Sequence, residues 1–333
     1  MTDPIRRLGP VVRLAPAKLN LTLAVLGRRR DGFHDLHSVM VPLALADRLT
    51  VAPLPAAPGA ADSLHVEGFD AGPDADNLVL RAIAETRRAV GAGWSGGPGP
   101  APALAARLDK RIPVAAGLGG GSSDAAAALD AALEAWGAEL SPDVHRAVAE
   151  RLGSDVPFFH DPIPSLVEGR GERVSPLSGL RGSPGVLLVT PAVPMSTPRE
   201  IAAFDSRGGR GDGSIRLTSE HLAGELRGGL AAADLVARAG VLAAANDLLP
   251  AAAAVLPELV PFRRALFRLL RRPVGLSGSG PTLWALYDSE RDATDAATTV
   301  RAAVSSGDLV GPGVRHPTIM ATTIPTPSKG TAS

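Results

Sequence analysis

The chain of 333 residues is 45% hydrophobic and 20% charged, which supplies enough apolar material for a sizeable core and suits one large or two medium domains. Its 34 basic residues balance 34 acidic ones, which argues against a nucleic-acid partner. The absence of cysteine excludes disulfides, a thiolate nucleophile and a cysteine-based zinc site, and it suits a reducing cytoplasm.

With 37 glycines and 30 prolines the chain is turn-rich, yet it stays below the level that marks low-complexity disorder. From Lys18 to Val25 residues alternate, which predicts a strand with Leu19, Leu21, Leu23 and Val25 on one face and Lys18, Asn20 and Thr22 on a polar one. On position alone Lys18 reads as a surface residue. A turn at Gly27 to Gly32 and renewed alternation from His37 to Leu45 predict an antiparallel partner, with Arg28, Arg29 and Arg30 near the tip as a solvated turn or a phosphate contact. A Pro/Ala loop at 52–61, a short strand from Ser63 to Gly68, and a helix from the cap Asn77 to about Val90 come next. Gly91 to Pro102 reads as a mobile connection and Leu104 to Leu108 as a strand. A helix capped by Ser141, with Pro142 in its first turn, stops at Gly153 and leaves Asp155 just beyond it.

A hairpin around Gly169 to Gly171, a buried strand from Val186 to Val189 and a helix starting at Thr197 follow. Asp205 to Ser214 is Gly- and Arg-rich and reads as flexible, and Ala/Leu helices fill Ser219 to Leu270. A second glycine turn at Gly275 to Gly280 leads to a strand, Thr282 to Tyr287, an Ala-rich helix and a last strand near Thr318 to Ile324. This order predicts a second α+β domain from about residue 180 and a disordered tail at 326–333. No stretch offers the roughly 18 to 20 uninterrupted apolar residues of a membrane span, so a soluble chain without a membrane partner is expected.

The most informative segment is Pro113-Val114-Ala115-Ala116-Gly117-Leu118-Gly119-Gly120-Gly121-Ser122-Ser123-Asp124, which passes directly into the helix-forming run Ala125 to Ala135. Glycines let main chain approach a ligand closely, and a helix start adds unpaired N–H donors and a positive dipole end. Together these can hold phosphate in a chain without net positive charge. The segment is neither a P-loop, since no Lys follows the glycines, nor G-x-G-x-x-G. Arg outnumbers Lys 31 to 3, which singles out Lys18 and Lys110 as point charges outside the tail. Asp155, on an irregular turn beside apolar Val156 to Phe159, is a candidate carboxylate or a local cap. No His/Glu cluster has metal-ligand spacing.

In order, Ala15-Pro16-Ala17-Lys18-Leu19-Asn20-Leu21, Asp31-Gly32-Phe33-His34, Asn77-Leu78, the loop from Ile112 to Ala126, Gly153-Ser154-Asp155-Val156-Pro157, Asn246-Asp247-Leu248 and Ser277-Gly278-Ser279-Gly280-Pro281 form a recognisable series. It resembles the GHMP kinase superfamily over residues 12–325, and the triple glycine with paired serines points to its branch acting on a cytidyl-linked alcohol. The resemblance implies an α+β, two-domain fold. Residues 1–178 would be an ATP-binding α/β domain of ribosomal-protein-like βαβ type, and residues 179–325 a ferredoxin-like α+β substrate domain, with the site in the cleft between them. It implies ATP as co-substrate, wrapped by Pro113 to Ser123, and Mg2+, for which Ser123 is a candidate ligand. Lys18 and Asp155 match the catalytic pair, Asp155 taking the hydroxyl proton and Lys18 orienting it. Asn20, Phe33, His34 and Thr197 match substrate contacts. The chain departs from the family at Phe33, where Tyr is common, and at Ile201, where an aromatic is common; nearby Phe204 is the candidate to replace that wall of the cytosine pocket. The alternatives are a homoserine- or mevalonate-type kinase of the same superfamily, or a catalytically silent nucleotide-binding protein.

Overall fold

The computed structural model describes residues 9–55, 59–91, 101–177, 179–211 and 213–326. The tail beyond Thr326, part of the Pro/Ala loop and nearly all of the connection expected at Gly91 to Pro102 lie outside these. The chain divides into two compact units, one made of Met1–Ala17, Ala46–Val114 and Gly119–Asp161, the other of Lys18–Leu45, Ala115–Leu118 and Pro162–Ser333. Both are discontinuous in sequence. One cause is visible in the pairing: Leu36 to Met40 run antiparallel to Ser165 to Gly169, which ties an early hairpin to the later chain.

The strands in chain order are β1 (Val11–Asn20), β2 (Ala24–Arg28), β3 (His34–Pro53), β4 (Ser63–Gly68), β5 (Leu104–Lys110), β6 (Ser165–Gly169), β7 (Arg173–Pro176), β8 (Gly185–Thr190), β9 (Gly275–Leu276), β10 (Leu283–Tyr287) and β11 (Thr318–Thr323). The helices are α1 (Leu78–Val90), α2 (Gly120–Trp136), α3 (Pro142–Leu152), α4 (Thr197–Ser206), α5 (Ser214–Gly228), α6 (Ala232–Ala237), α7 (Ala239–Leu242), α8 (Leu249–Val255), α9 (Leu259–Leu270) and α10 (Glu290–Ser306).

In the first unit the end of β3 pairs antiparallel with β5, and β4 pairs parallel with β5. Helices α1, α2 and α3 pack together. Asn77 starts α1 by accepting a bond from the Val79 N–H at 2.9 Å, and Ser141 does the same for α3 from Val144 at 3.4 Å. Helix α2 is buried on nearly every side, because its alanines are small enough to let neighbours approach and carry the highest helix propensity.

In the second unit β2 and β3 form the expected antiparallel hairpin, continued by β6 and β7. A four-stranded antiparallel sheet of order β11-β8-β10-β9 packs on α10 around Leu187, Val189, Leu266, Leu283 and Val300. That sheet with its helices is the expected ferredoxin-like part. At the turn Arg28 and Arg30 are exposed and Arg29 pairs with Asp31 and Asp35.

Two expectations need correction. The single strand predicted from Lys18 to Val25 is broken at Leu21 and Thr22, because the Thr22 hydroxyl accepts the Val39 N–H at 2.9 Å and replaces a regular ladder bond. Its polar face is not a surface either: Lys18, Asn20 and Thr22 are only 4%, 3% and 1% exposed. Within the Gly- and Arg-rich segment, Asp205 and Ser206 complete α4, Gly209 N–H bonds back to Phe204 and Gly211 N–H donates to the Val25 carbonyl at 2.9 Å, while Asp212 lies outside the described residues. Among the described residues no helix is long and apolar enough to cross a membrane.

Candidate active site

The glycine loop follows β5 and ends where α2 begins. Ala115, Gly117 and Gly119 have φ values of 52°, 77° and 70°, so left-handed residues alternate with ordinary ones, the pattern by which successive amides curl around an anion. At Gly117 a Cβ would lie 2.3 Å from the Ser277 carbonyl oxygen, so only glycine fits. The loop carbonyls are engaged: Thr282 N–H donates to Ala116 at 3.3 Å, Ser277 Oγ to Gly117 at 3.0 Å and Lys18 N–H to Leu118 at 2.9 Å. Gly119 provides no side-chain cap for α2, so the first amides of that helix, at Gly120, Gly121 and Ser122, have no intrahelical acceptor. The first turn carries no acidic side chain to occupy them. Uncapped main-chain donors of this kind can receive an anion.

Beneath the start of α2 lies a buried ionic brace that the sequence reading missed. Lys110 Nζ pairs with Asp47 and, at 2.8 Å, with Asp124 Oδ2, while Asp47 Oδ1 also accepts the Ile112 N–H at 2.8 Å. A Cβ on Gly120 would come within 2.8 Å of Lys110 Nζ, so the ammonium sits directly under the first turn of α2. Burial pushes the Asp124 carboxyl up to about 7, with Lys110 opposing the rise. Two sequence signals pointed here: Lys110 is one of three lysines, and Asp124 stands four residues after Gly120 on the same helix face. Ser123 Oγ, also buried, has no hydrogen-bond partner among the described residues.

The second unit assembles Lys18 with its neighbours. Its Nζ donates to Asn20 Oδ1, and Asn20 Nδ2 donates to Ser38 Oγ at 2.8 Å. A Cβ built on Gly278 would lie 3.0 Å from Asn20 Oδ1, 3.1 Å from Lys18 Nζ and 3.4 Å from the Gly117 carbonyl oxygen. The catalytic candidate lysine, its asparagine, the glycine loop and the second glycine turn therefore converge on one point. Asn246 holds that turn by donating to the Gly278 carbonyl at 2.8 Å and to that of Leu276 at 3.1 Å. Thr197 Oγ1 joins it through Ser279 Oγ at 3.0 Å.

His34 is buried, with Nε2 2.7 Å from Asp205 Oδ1 and its ring edge-to-face with Phe204 at 6.1 Å. Phe204 thus backs His34, and Ile201 packs in the same apolar cluster with Leu23, Val25 and Leu248. Phe33 is 48% exposed, with the Arg170 guanidinium 5.2 Å from its ring centre. In the first unit Asp155 is half-buried and begins the 3-10 helix Val156–His160, which packs on α2. A Cβ on Gly153 would lie 3.8 Å from Ser122 Oγ, so the Asp155 turn runs beside the first turn of α2. Asp205 as the His34 partner was not legible, because the two are 171 residues apart.

A glycine loop opening an alanine-rich helix, a buried lysine beside that loop and a ferredoxin-like sheet are the build of the GHMP kinases, ATP-dependent small-molecule kinases; the model of the GHMP kinases N terminal domain matches residues 77–160. The chain is 39% identical over 291 residues to 4-diphosphocytidyl-2-C-methyl-D-erythritol kinase of Pelotomaculum thermopropionicum, covering 87% of this chain and 94% of that one. The crystal structure of a 4-(cytidine 5'-diphospho)-2C-methyl-D-erythritol kinase matches at 32% identity and TM-score 0.67, over 94% of this chain and 98% of the other. Homoserine kinase from Cytophaga hutchinsonii, 15% identical with TM-score 0.61 over 97% of each chain, shares the fold. The chain belongs to the 4-diphosphocytidyl-2-C-methyl-D-erythritol kinase family.

Proposed function

We propose that the chain transfers the γ-phosphoryl group of ATP to the 2-hydroxyl of 4-diphosphocytidyl-2-C-methyl-D-erythritol, a step of non-mevalonate isoprenoid precursor biosynthesis carried out in the cytoplasm. The observation that carries this reading is the meeting of Lys18, Asn20 and the Gly117 main chain at Gly278. The amides of the loop and of the first turn of α2 bind the triphosphate, and Pro113 to Ser123 form that ATP site. Lys18 offsets negative charge at the alcohol, and Asp155 accepts its proton. Phosphoryl transfer has a loose transition state, so positioning and charge stabilisation lead, while general-base help adds on the order of 10² to 10⁴ in rate. Ser123, with its unpartnered buried hydroxyl oxygen, fits the hard-oxygen preference of Mg2+. When bound, Mg2+ neutralises charge between the phosphates.

Residues 179–325, joined by the early Phe33-His34 segment, serve the acceptor alcohol, and residues 1–178 serve ATP. A carboxylate only accepts, so the His34 nitrogen facing Asp205, Nε2, carries a proton, and in the neutral ring Nδ1 is then an acceptor suited to the exocyclic amine of cytosine. Phe33, exposed on its turn, stacks on the base, and Thr197 and Asn20 add polar contacts. The test is ATP consumption by the purified chain with a panel of alcohols. The cytidyl alcohol is expected to be turned over, with homoserine and mevalonate inert; preference for either of the latter overturns the substrate assignment.

A further inference from the structure

Within the first unit, three donors meet that the sequence spaces 15 residues apart: Asp130 in α2, His145 in α3 and His160 at the end of the 3-10 helix. That spacing follows no helical ligand pattern, so the chain alone gives no sign of the cluster. One ligand atom from each lies within 4.8 Å of the other two. His145 Nε2 is 2.8 Å from Asp130 Oδ1, and the two imidazole rings are 4.3 Å apart between centres. Asp130 and His145 are half-buried and His160 is exposed, so the cluster is open on one side.

Two imidazoles and one carboxylate are poor donors for Mg2+, which prefers oxygen, and good ones for borderline ions such as Zn2+, Co2+ and Ni2+. A tetrahedral ion with bonds of about 2.0 Å holds its donors about 3.3 Å apart, a contraction within the reach of side-chain rotation. We propose that Asp130, His145 and His160 form a site for a zinc-type divalent cation, with water as the fourth ligand. The ion links α2, whose N-terminus ends the glycine loop, to the 3-10 helix that Asp155 begins. Its effect is to hold that short helix, otherwise attached through its apolar residues, in one position on α2.

Metal-free, full-length protein is titrated with Zn2+ by calorimetry and with Co2+ by visible absorption, both in excess Mg2+. One Zn2+ per chain, the intense Co2+ bands of a tetrahedral site and a raised melting temperature are expected. His145→Ala and His160→Ala each weaken Zn2+ binding at least about tenfold. His160 is exposed, so His160→Ala melts as the parent does without metal. His65→Ala, far along the chain in β4, leaves the affinity unchanged. Absence of stoichiometric Zn2+ binding, or affinity unaltered in the double His145→Ala, His160→Ala variant, overturns the proposal.

Discussion

Lys18 keeps an ammonium at 4% exposure, where loss of water costs several kcal/mol unless hydrogen bonds replace it. Asn20 Oδ1 supplies one, and Asn20 is itself oriented by Ser38, so Lys18 is a charge fixed in place before any ligand arrives. Asp155 differs in being half-buried at the start of a short helix. Asp155→Asn keeps the shape and removes the proposed base, so turnover is expected to fall at least about 10²-fold while ATP affinity holds; steady-state rates with a nucleotide-binding titration check it, and near-normal turnover removes Asp155 from the mechanism. Glu200 in α4 gives a separate prediction. It is fully buried, neither carboxyl oxygen has a partner among the described residues, and burial pushes its pKa up to about 9 from 4.5. A raised folded pKa means that its contribution is fully present below about pH 4.5 and is lost as pH rises toward about 9. Denaturant unfolding from pH 5 to 8 should therefore show the parent losing stability relative to Glu200→Gln by up to about 1.4 kcal/mol per pH unit. Parallel pH profiles for the two proteins contradict the assignment.

At the scale of elements, the start of α2 joins a turn of uncapped amides, the proposed phosphate cradle, to the Asp47-Lys110-Asp124 brace below it. Gly121 separates the two roles. Its backbone is not left-handed, and a Cβ there meets only Leu78 at 3.6 Å, an ordinary contact. Gly121→Val should leave the melting temperature near that of the parent yet weaken ATP binding at least about tenfold, because the new side chain stands among the amides that face phosphate. Unchanged nucleotide affinity in the folded variant argues against the cradle. Asp124→Ala, in contrast, removes one of the two carboxylates that hold a buried lysine and should cost about 3 to 5 kcal/mol in unfolding measurements. Elements with local causes were legible in the chain: Asn77 and Ser141 cap their helices from two or three residues away, and the alanine run makes α2 whatever surrounds it. The break in the strand after Asn20 was not, because it depends on Thr22 bonding to Val39. Alternation also could not reveal that the polar face of Lys18 and Asn20 is buried, since a period of two says which residues share a face and nothing about what covers it. The His34 pairing with Asp205 and the cluster of Asp130, His145 and His160 exist only once distant segments meet.

On the scale of the whole molecule, zero net charge does not preclude holding phosphate, because oriented main-chain amides can meet an anion without net positive charge. The resemblance was carried by seven short motifs, and three of them, the loop, the lysine strand and the second glycine turn, meet at Gly278. The departures at Phe33 and Ile201 fall on residues proposed to serve the acceptor, and Phe204 meets His34 edge-to-face in an apolar cluster against which Ile201 also packs. The chemistry at the alcohol calls for a direct reading of the product. Phosphorus NMR of the purified chain with ATP and 4-diphosphocytidyl-2-C-methyl-D-erythritol supplies it: one new phosphomonoester signal, coupled to the tertiary carbon 2 and equal in amount to the ADP formed, is the predicted result. ADP released at the same rate without the alcohol, or phosphate on another hydroxyl, would contradict it.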